Sequence, residues 1–192
     1  MEKINLFQFI MFCTLTHAIT AVFCHGPEPV EVWFQNLKKP SVPKTAVIQF
    51  YVQDFLGGPR QSAWQIAQAS ITPNSSTNFG RLIMADSLLT VGTDLNSAPI
   101  GRGQGLIGYS DLNEGAVATS MNFVFTTGKY NGSTLSMFGR NPLTAVGDRE
   151  LSIVGGTGVF RLARGIATVR TYLDFDATGY AVFNYTLYVI YP

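Results

Sequence analysis

The chain has 192 residues, of which 46% are hydrophobic and 13% are charged, and its formal net charge is +1. This length fits one globular domain, or one domain with a small appendage. A net charge near zero without any basic run argues against a nucleic-acid-binding surface and against attachment to an anionic membrane. The 14 Phe, 8 Tyr and 2 Trp residues fit a large core, an apolar ligand cavity or a buried subunit interface.

Residues 1–24 have the pattern of a secretory signal peptide. Lys3 gives a positive start, residues 6–15 form an apolar run of suitable length, and small residues follow near the expected cleavage site. An uncleaved anchor helix is the alternative, although this run is short for a bilayer. We therefore predict a protein secreted to the extracellular space, with no membrane attachment after signal cleavage.

Removal of this segment would leave few groups for catalysis. Both cysteines, Cys13 and Cys24, and both histidines, His17 and His25, lie within the segment or at its edge. The remaining chain therefore excludes a Ser-His-Asp triad, a Cys-His pair and a histidine-rich metal site. We predict no cofactor and no bound metal.

Three Asn-x-Ser/Thr sequons follow, at Asn74, Asn131 and Asn184. In a secreted chain they are candidate glycosylation sites, which places the three asparagines on the surface.

After a proline-containing segment, 25–44, which predicts an irregular N-terminal arm, extended runs alternate with turn residues. The runs are 45–55, 63–71, 81–90, 103–112, 117–127, 133–139, 149–154, 165–175 and 181–191. Many short runs of this kind, separated by Gly, Pro and Asn, indicate an antiparallel β-sandwich or β-barrel. No amphipathic helix and no internal repeat stands out.

The first run places a carboxylate on an apolar face. Side chains alternate between the two faces of a strand, so Asp54 shares a face with residues such as Phe50 and Val52. The opposite face carries Gln49 and Gln53, which we expect to meet water. Asp54 is therefore predicted to point into the protein.

The same alternation places three more polar residues on apolar faces. Arg149 shares a face with Leu151 and Ile153, Thr171 lies on the apolar face of 165–175, and Asp86 alternates with apolar residues of 81–88. A buried charge must be paired, protonated or close to water. A structural Asp–Arg pair, a subunit contact and a lined cavity are the three interpretations left open.

Six pieces of the sequence, in order, resemble the plant dirigent family. They are Phe-Tyr-Val-Gln-Asp at 50–54, Phe-Gly-Arg at 79–81, Pro-Ile-Gly-Arg-Gly-Gln-Gly at 99–105, Leu-Ser-Ile-Val-Gly-Gly-Thr-Gly-Val-Phe at 151–160, Ala-Arg-Gly at 163–165 and Asn-Tyr-Thr at 184–186. The resemblance spans 45–192 and implies an all-β fold, an eight-stranded antiparallel β-barrel that assembles as a homotrimer in the apoplast.

The resemblance also implies the chemistry. Dirigent proteins have no oxidising centre; they orient phenoxy radicals, made by a separate laccase or peroxidase, so that coupling gives one stereoisomer, as in lignan formation. A related branch, which includes pterocarpan synthases, acts on quinone methides and closes a ring with loss of water, so whether this chain is an enzyme stays open. A non-catalytic secreted protein that binds phenolics or organises cell-wall polymer is the third possibility.

The family's pocket residues correspond to Asp54 and Arg149, as catalytic candidates, and to Tyr109 and Thr171, as substrate-binding candidates. Asn141 stands where the lignan-forming branch carries a second aspartate, and Asp86 is a candidate substitute in substrate binding. The chain also ends without the cysteine typical of that branch. Residues 129–136 and 138–141 are more similar to the branch that includes the pterocarpan synthases.

Overall fold

The computed structural model of the protein describes residues 28–37 and 42–192, so the predicted signal peptide at 1–24 lies outside the described residues. The described residues belong to two separate units, 28–37 and 42–192. The elements are helix α1 (Val30–Asn36) and the strands β1 (Lys44–Phe55), β2 (Ala63–Ala67), β3 (Leu82–Thr90), β4 (Pro99–Tyr109), β5 (Ala116–Phe125), β6 (Thr134–Pro142), β7 (Arg149–Thr157), β8 (Arg164–Leu173) and β9 (Tyr180–Tyr191). Within the described ranges, no helix has the length and apolar character needed to cross a bilayer.

The prediction of an irregular arm over 25–44 is wrong for Val30–Asn36, which form α1. The prolines of this segment flank the helix rather than interrupt it, and Pro29 immediately precedes its first residue. A proline is tolerated there because its missing N–H would have no helical partner. Glu31 lies in the first turn, where the helix dipole favours a negative charge.

Eight of the nine strands form a closed antiparallel barrel. Neighbouring strands pair in the order β1-β9-β8-β7-β6-β5-β4-β3, and β3 also pairs with β1, which closes the ring. The closing contact is short, with 51–53 of β1 opposite 88–90 of β3. The short strand β2 pairs with β3 as an additional edge strand. The prediction of an eight-stranded antiparallel β-barrel is confirmed.

The inner face of the barrel follows the alternation expected from the sequence. In β5, every second residue from Val117 to Phe125 is buried, while the intervening side chains are more exposed. In β9, Tyr185, Leu187 and Val189 are buried in the same way. An eight-stranded barrel has an interior just wide enough to be filled by side chains or to hold one small ligand.

The two ends of the barrel differ. One end is filled by a cluster of aromatic rings whose centroids lie 4.7–5.9 Å apart: Phe125, Tyr130, Phe160 and Tyr191. Because antiparallel strands alternate in direction, the carboxyl ends of β1, β4, β6 and β8 meet the amino ends of β3, β5, β7 and β9 at the other end. This second end carries the mouth of an internal cavity.

Candidate functional site

The cavity at the open end of the barrel has a volume of about 100 Å³. Its wall is mainly apolar, and the rings of Tyr109, Phe123, Phe183 and Tyr185 contribute to it. A cavity of about 150 Å³ can hold one benzene molecule, so the space inside the barrel is of the order needed for one aromatic ring. A larger ligand would extend into the mouth, where the partly exposed Phe175 lies.

Asp54 is a buried carboxylic acid in this apolar wall. Its side chain is 8% exposed, and the hydroxyls of Ser87 and Ser62 donate to its Oδ1 atom at 3.0 and 3.3 Å. Burial raises the pKa of the Asp54 carboxyl above its usual range, and the two serine hydrogen bonds offset part of that rise. A raised pKa brings a carboxyl closer to the range in which general acid–base catalysis is efficient.

Two polar side chains lie on the opposite wall. Asn141 lies on β6, which is four strands from β1 in either direction around the eight-stranded ring, so it faces Asp54 across the barrel. Asn141 pairs with Val117, which makes Thr119 its diagonal neighbour on the inner face of β5. Both side chains line the cavity.

The Asn141 amide oxygen and the Thr119 hydroxyl are buried and have no hydrogen-bond partner in the described part of the chain. Such atoms cost about 1–3 kcal/mol each when unpaired, and native proteins contain few of them. A ligand hydroxyl at this wall would donate to the Asn141 oxygen, and a ligand hydroxyl or carbonyl oxygen would accept from Thr119.

Arg149 is buried at the same end of the barrel. Its guanidinium donates to the Val169 carbonyl at 3.4 Å and to the Thr171 hydroxyl at 3.0 Å. Among the described residues, no carboxylate forms an ion pair with Arg149, so the interpretation as a structural Asp–Arg pair does not hold for Arg149. Thr171 itself is exposed at the rim.

Tyr185 lies within the influence of both buried charges. Burial raises the pKa of the Tyr185 hydroxyl to about 12, while Arg149 lowers it and Asp54 raises it. The ring of Tyr185 stacks on Phe50 at 5.8 Å and meets Phe123 edge-on at 5.4 Å, which fixes its position in the wall. Asp54 and Arg149, predicted from alternation to face inward, therefore do converge on one end of the interior.

Tyr109 lines the cavity from the carboxyl end of β4. The guanidinium carbon of Arg81 lies 5.9 Å from the centroid of its ring, which restrains the ring from one side. The predicted contact between Tyr109 and a substrate stays a prediction.

Asp86 does not belong to this cavity, and the prediction that it faces inward is wrong. Its carboxylate lies on the outside of the barrel, where the Arg102 guanidinium donates to it at 2.8 Å and Gln104 donates at 3.2 Å. The hydrogen bond from Arg102 holds the pKa of the Asp86 carboxyl below its usual range. On β3 the inner face carries Ala85 and Ser87 instead.

The three sequon asparagines lie outside the cavity. Asn74 and Asn131 are exposed, and Asn184 is half-buried on the outer face of β9, where its amide oxygen accepts from Gln49 at 3.3 Å. Their glycosylation stays a prediction.

Ser62, Ser87 and Thr119 also belong to the site, although the sequence pattern did not predict them. The position of Thr119 could have been predicted, since it alternates with the apolar inner residues of β5. No pattern in the sequence predicts the role of Ser62, because it lies between strands and reaches Asp54 only through the closure of the barrel.

A family model described as "Dirigent-like protein" matches residues 45–190. Dirigent protein 15 of Arabidopsis thaliana is 39% identical over 183 residues, which cover 92% of this chain and 94% of that protein. Pterocarpan synthase 1 of Glycyrrhiza echinata is 33% identical over 177 residues, 92% of this chain and 91% of that one. A solved structure of a pterocarpan synthase dirigent protein superposes with a TM-score of 0.73 at 34% identity, covering 80% of this chain and 88% of that one.

Proposed function

This chain belongs to the dirigent-like protein family, and we propose that it binds one phenolic ligand in the barrel and closes a ring by acid-base chemistry with loss of water. The observation that carries the proposal is Asp54, a buried carboxylic acid with a raised pKa in an aromatic wall. Among the residues that line the cavity, Asp54 is the one with an acidic side chain.

The proposed reaction needs no oxidant. Asp54 gives its proton to a hydroxyl leaving group of the ligand, which departs as water and leaves a quinone-methide-like cation stabilised by the phenolic ring. A phenolic hydroxyl of the same ligand then attacks the cationic carbon, forms a C–O bond and loses its proton. One proton is consumed and one is released, so the net change is the loss of water.

The remaining polar groups would orient the ligand. The unpartnered oxygens of Asn141 and Thr119 lie across the cavity from Asp54, so a ligand with oxygen functions at both ends would span the two walls. Arg149 is a buried cation near Tyr185 and would favour loss of the proton from the attacking phenolic hydroxyl as the C–O bond forms. Such fixed geometry would make one direction of attack dominate and give one stereoisomer.

The size of the cavity sets how a ligand divides between the barrel and its mouth. A volume of about 100 Å³ has room for about one aromatic ring inside the barrel. The second ring of an isoflavanol, like the second ring in radical coupling, would lie at the mouth. The amide of Asn141, which cannot transfer a proton as a carboxyl can, also leaves one acid rather than two for the chemistry.

Stereoselective coupling of phenoxy radicals, supplied by a separate laccase or peroxidase, is the second candidate. It is supported by the similarity over 92% of the chain to a relative called Dirigent protein 15. In that function the same aromatic wall would hold one radical and expose its reactive face at the mouth, as in the formation of lignans.

The two candidates differ in their need for an oxidant. Purified protein would be incubated with an isoflavan-4-ol that carries a 2′-hydroxyl group, without oxidase, and separately with coniferyl alcohol and laccase; products would be resolved by chiral chromatography. Ring closure without oxidase supports the proposed reaction. An enantiomeric excess only in the laccase reaction would replace it by radical coupling, and ligand binding without any product change would replace both by a binding function.

The proposal places this chemistry in the apoplast, as expected for a secreted glycoprotein, and in a homotrimer. Light scattering of the protein purified from a plant secretion host would test the trimer, and its N-terminal sequence would test signal cleavage near residue 24.

A further inference from the structure

The barrel wall has a gap that Ser62 fills. Strands β1 and β3 pair directly only between 51–53 and 88–90. Beyond this point the Ser62 N–H donates to the Phe55 carbonyl at 3.0 Å, and the Ser62 carbonyl accepts the Asp86 N–H at 2.8 Å. The wall between the two strands is therefore a single residue here.

The Ser62 hydroxyl belongs to a hydrogen-bonded chain that ends at Asp54. Its oxygen lies 3.3 Å from Asp54 Oδ1 and 3.2 Å from the Ser87 hydroxyl, and Ser87 donates to the same Oδ1 at 3.0 Å. The Phe55 N–H donates to Ser62 Oγ at 3.1 Å, which fixes the oxygen and leaves the hydroxyl proton to be donated.

Of these three side chains, Ser62 is the one that reaches the outside. Asp54 is 8% exposed and Ser87 is 1% exposed, whereas Ser62 is half-buried. Ser62 also lines a groove of about 600 Å³ on the outer side of the wall, beside the polar side chains of Gln61 and Arg102. Groove water can therefore meet the chain of hydroxyls without passing through the cavity.

We propose that Ser62 is a positioning residue and proton relay, which connects Asp54 with water in the outer groove while a ligand occupies the cavity. The proposal rests on the proposed function, in which Asp54 gives up a proton and must regain one. A ligand that fills the cavity and mouth would block water from the inner side, so a route through the wall keeps the acid in equilibrium with solvent.

The proton transfer balances. After Asp54 has protonated the leaving hydroxyl, the Ser62 hydroxyl proton moves to Asp54 Oδ1 as a proton from groove water replaces it on Ser62 Oγ. The hydroxide left in the groove is neutralised in the surrounding water by the phenolic proton, which leaves at the mouth. Only O–H bonds form and break in the relay, and no electron is transferred.

Kinetics of three variants test the relay. Ser62→Ala keeps the backbone bridge and removes the hydroxyl; Ser62→Thr keeps a hydroxyl; Ser87→Ala removes a buried hydroxyl that has no contact with the groove. Because reprotonation follows the first chemical step, Ser62→Ala should lower kcat by about tenfold and kcat/KM by less than twofold. Ser62→Thr should recover at least half of the wild-type kcat.

Rescue of kcat by a small acid distinguishes a proton relay from a purely structural role of Ser62. Addition of acetate buffer at fixed pH and ionic strength should raise kcat of Ser62→Ala and not that of Ser87→Ala, since a small acid can replace the missing hydroxyl in the groove. A wild-type kcat in Ser62→Ala, or a loss that acetate leaves unchanged, would overturn the relay.

A second measurement separates the relay from the proposed reaction. Carbon-13 NMR of labelled aspartate would follow the Asp54 carboxyl during a pH titration with 2-naphthol bound in the cavity. Fast exchange between the protonated and ionised forms in the wild type and slow exchange in Ser62→Ala support the relay. Equal exchange in the two proteins overturns it. If the wild type does not close the isoflavanol ring, the proposed reaction fails, and this titration still decides the relay.

Discussion

Replacement of Asp54 by asparagine tests the central residue of the site. The substitution removes the ionisable carboxyl proton and keeps the size and shape of the side chain. The asparagine Oδ1 atom can still accept the hydrogen bonds from Ser87 and Ser62, so the wall of the cavity should be preserved. Any loss of activity would then result from the missing carboxyl proton and not from altered packing of the cavity wall.

The expected loss follows from the role of the group. General acid-base catalysis by one positioned side chain contributes about 10²–10⁴-fold in rate, which corresponds to about 3–5 kcal/mol of activation free energy. No other side chain that lines the cavity is acidic, so none can replace Asp54 there. We expect Asp54→Asn to lower the rate of ring closure by a factor in this range and to change the affinity for 2-naphthol by less than threefold.

The assay would compare initial rates with 2-naphthol affinity from fluorescence. Asp86→Asn is the matched control, since it makes the same chemical change on the outside of the same barrel, where Arg102 pairs with the carboxylate. Asp86→Asn should retain wild-type activity. A rate for Asp54→Asn within tenfold of that control, with binding unchanged, would refute the assignment of Asp54 as the acid.

Three further predictions concern stability. Because burial raises the pKa of Asp54, its favourable contribution to folding stability is complete below the ordinary aspartate value of 3.8 and is lost as pH rises through the raised pKa. Calorimetry from pH 3 to 8 should therefore show Asp54→Asn melting at a higher temperature than the wild type at neutral pH. At pH 3 the two melting temperatures should not differ in this way. Asn141→Leu removes an unpartnered buried amide oxygen, so urea titration should show an unfolding free energy higher by about 1 kcal/mol, and naphthol fluorescence should show weaker binding; unchanged affinity would contradict the contact. Gly105→Ala places a Cβ on the Ser120 carbonyl oxygen and should cost about 3 kcal/mol in the same titration, whereas Gly57→Ala, with open space around it, should be neutral.

Local alternation in the sequence determined the strands and most of the inner face. The pattern works best where one face is clearly apolar and the other clearly polar, as in β5. Alternation then identifies without ambiguity which face is buried. It placed Asp54 and Arg149 inside, and the structure agrees. The same test failed for Asp86 because β3 is apolar on both faces: Met84 and Leu88 line the outer groove, while Ile83 lies inside.

Tertiary structure decided what covers each face and which residues meet across the barrel. Gln53 alternates with the inner residues of β1 and was expected to meet water. It is 1% exposed, because Thr90 and the Tyr180 hydroxyl bond to its amide and the backbone at Gly92 lies over it. The neighbours of Gln53 in β1 do not encode that cover, because Thr90, Gly92 and Tyr180 follow it by 37, 39 and 127 residues along the chain.

Tertiary structure also determines which polar side chains meet at the site. Asp54 and Asn141 are 87 residues apart in sequence and face each other because eight strands close into one ring. Ser62 reaches Asp54 because the closing strands separate where it lies. Strand identity is a short-range property of side-chain alternation, whereas barrel closure depends on long-range pairing, and only closure brings the acid, its serine partners and the opposite amide around one cavity.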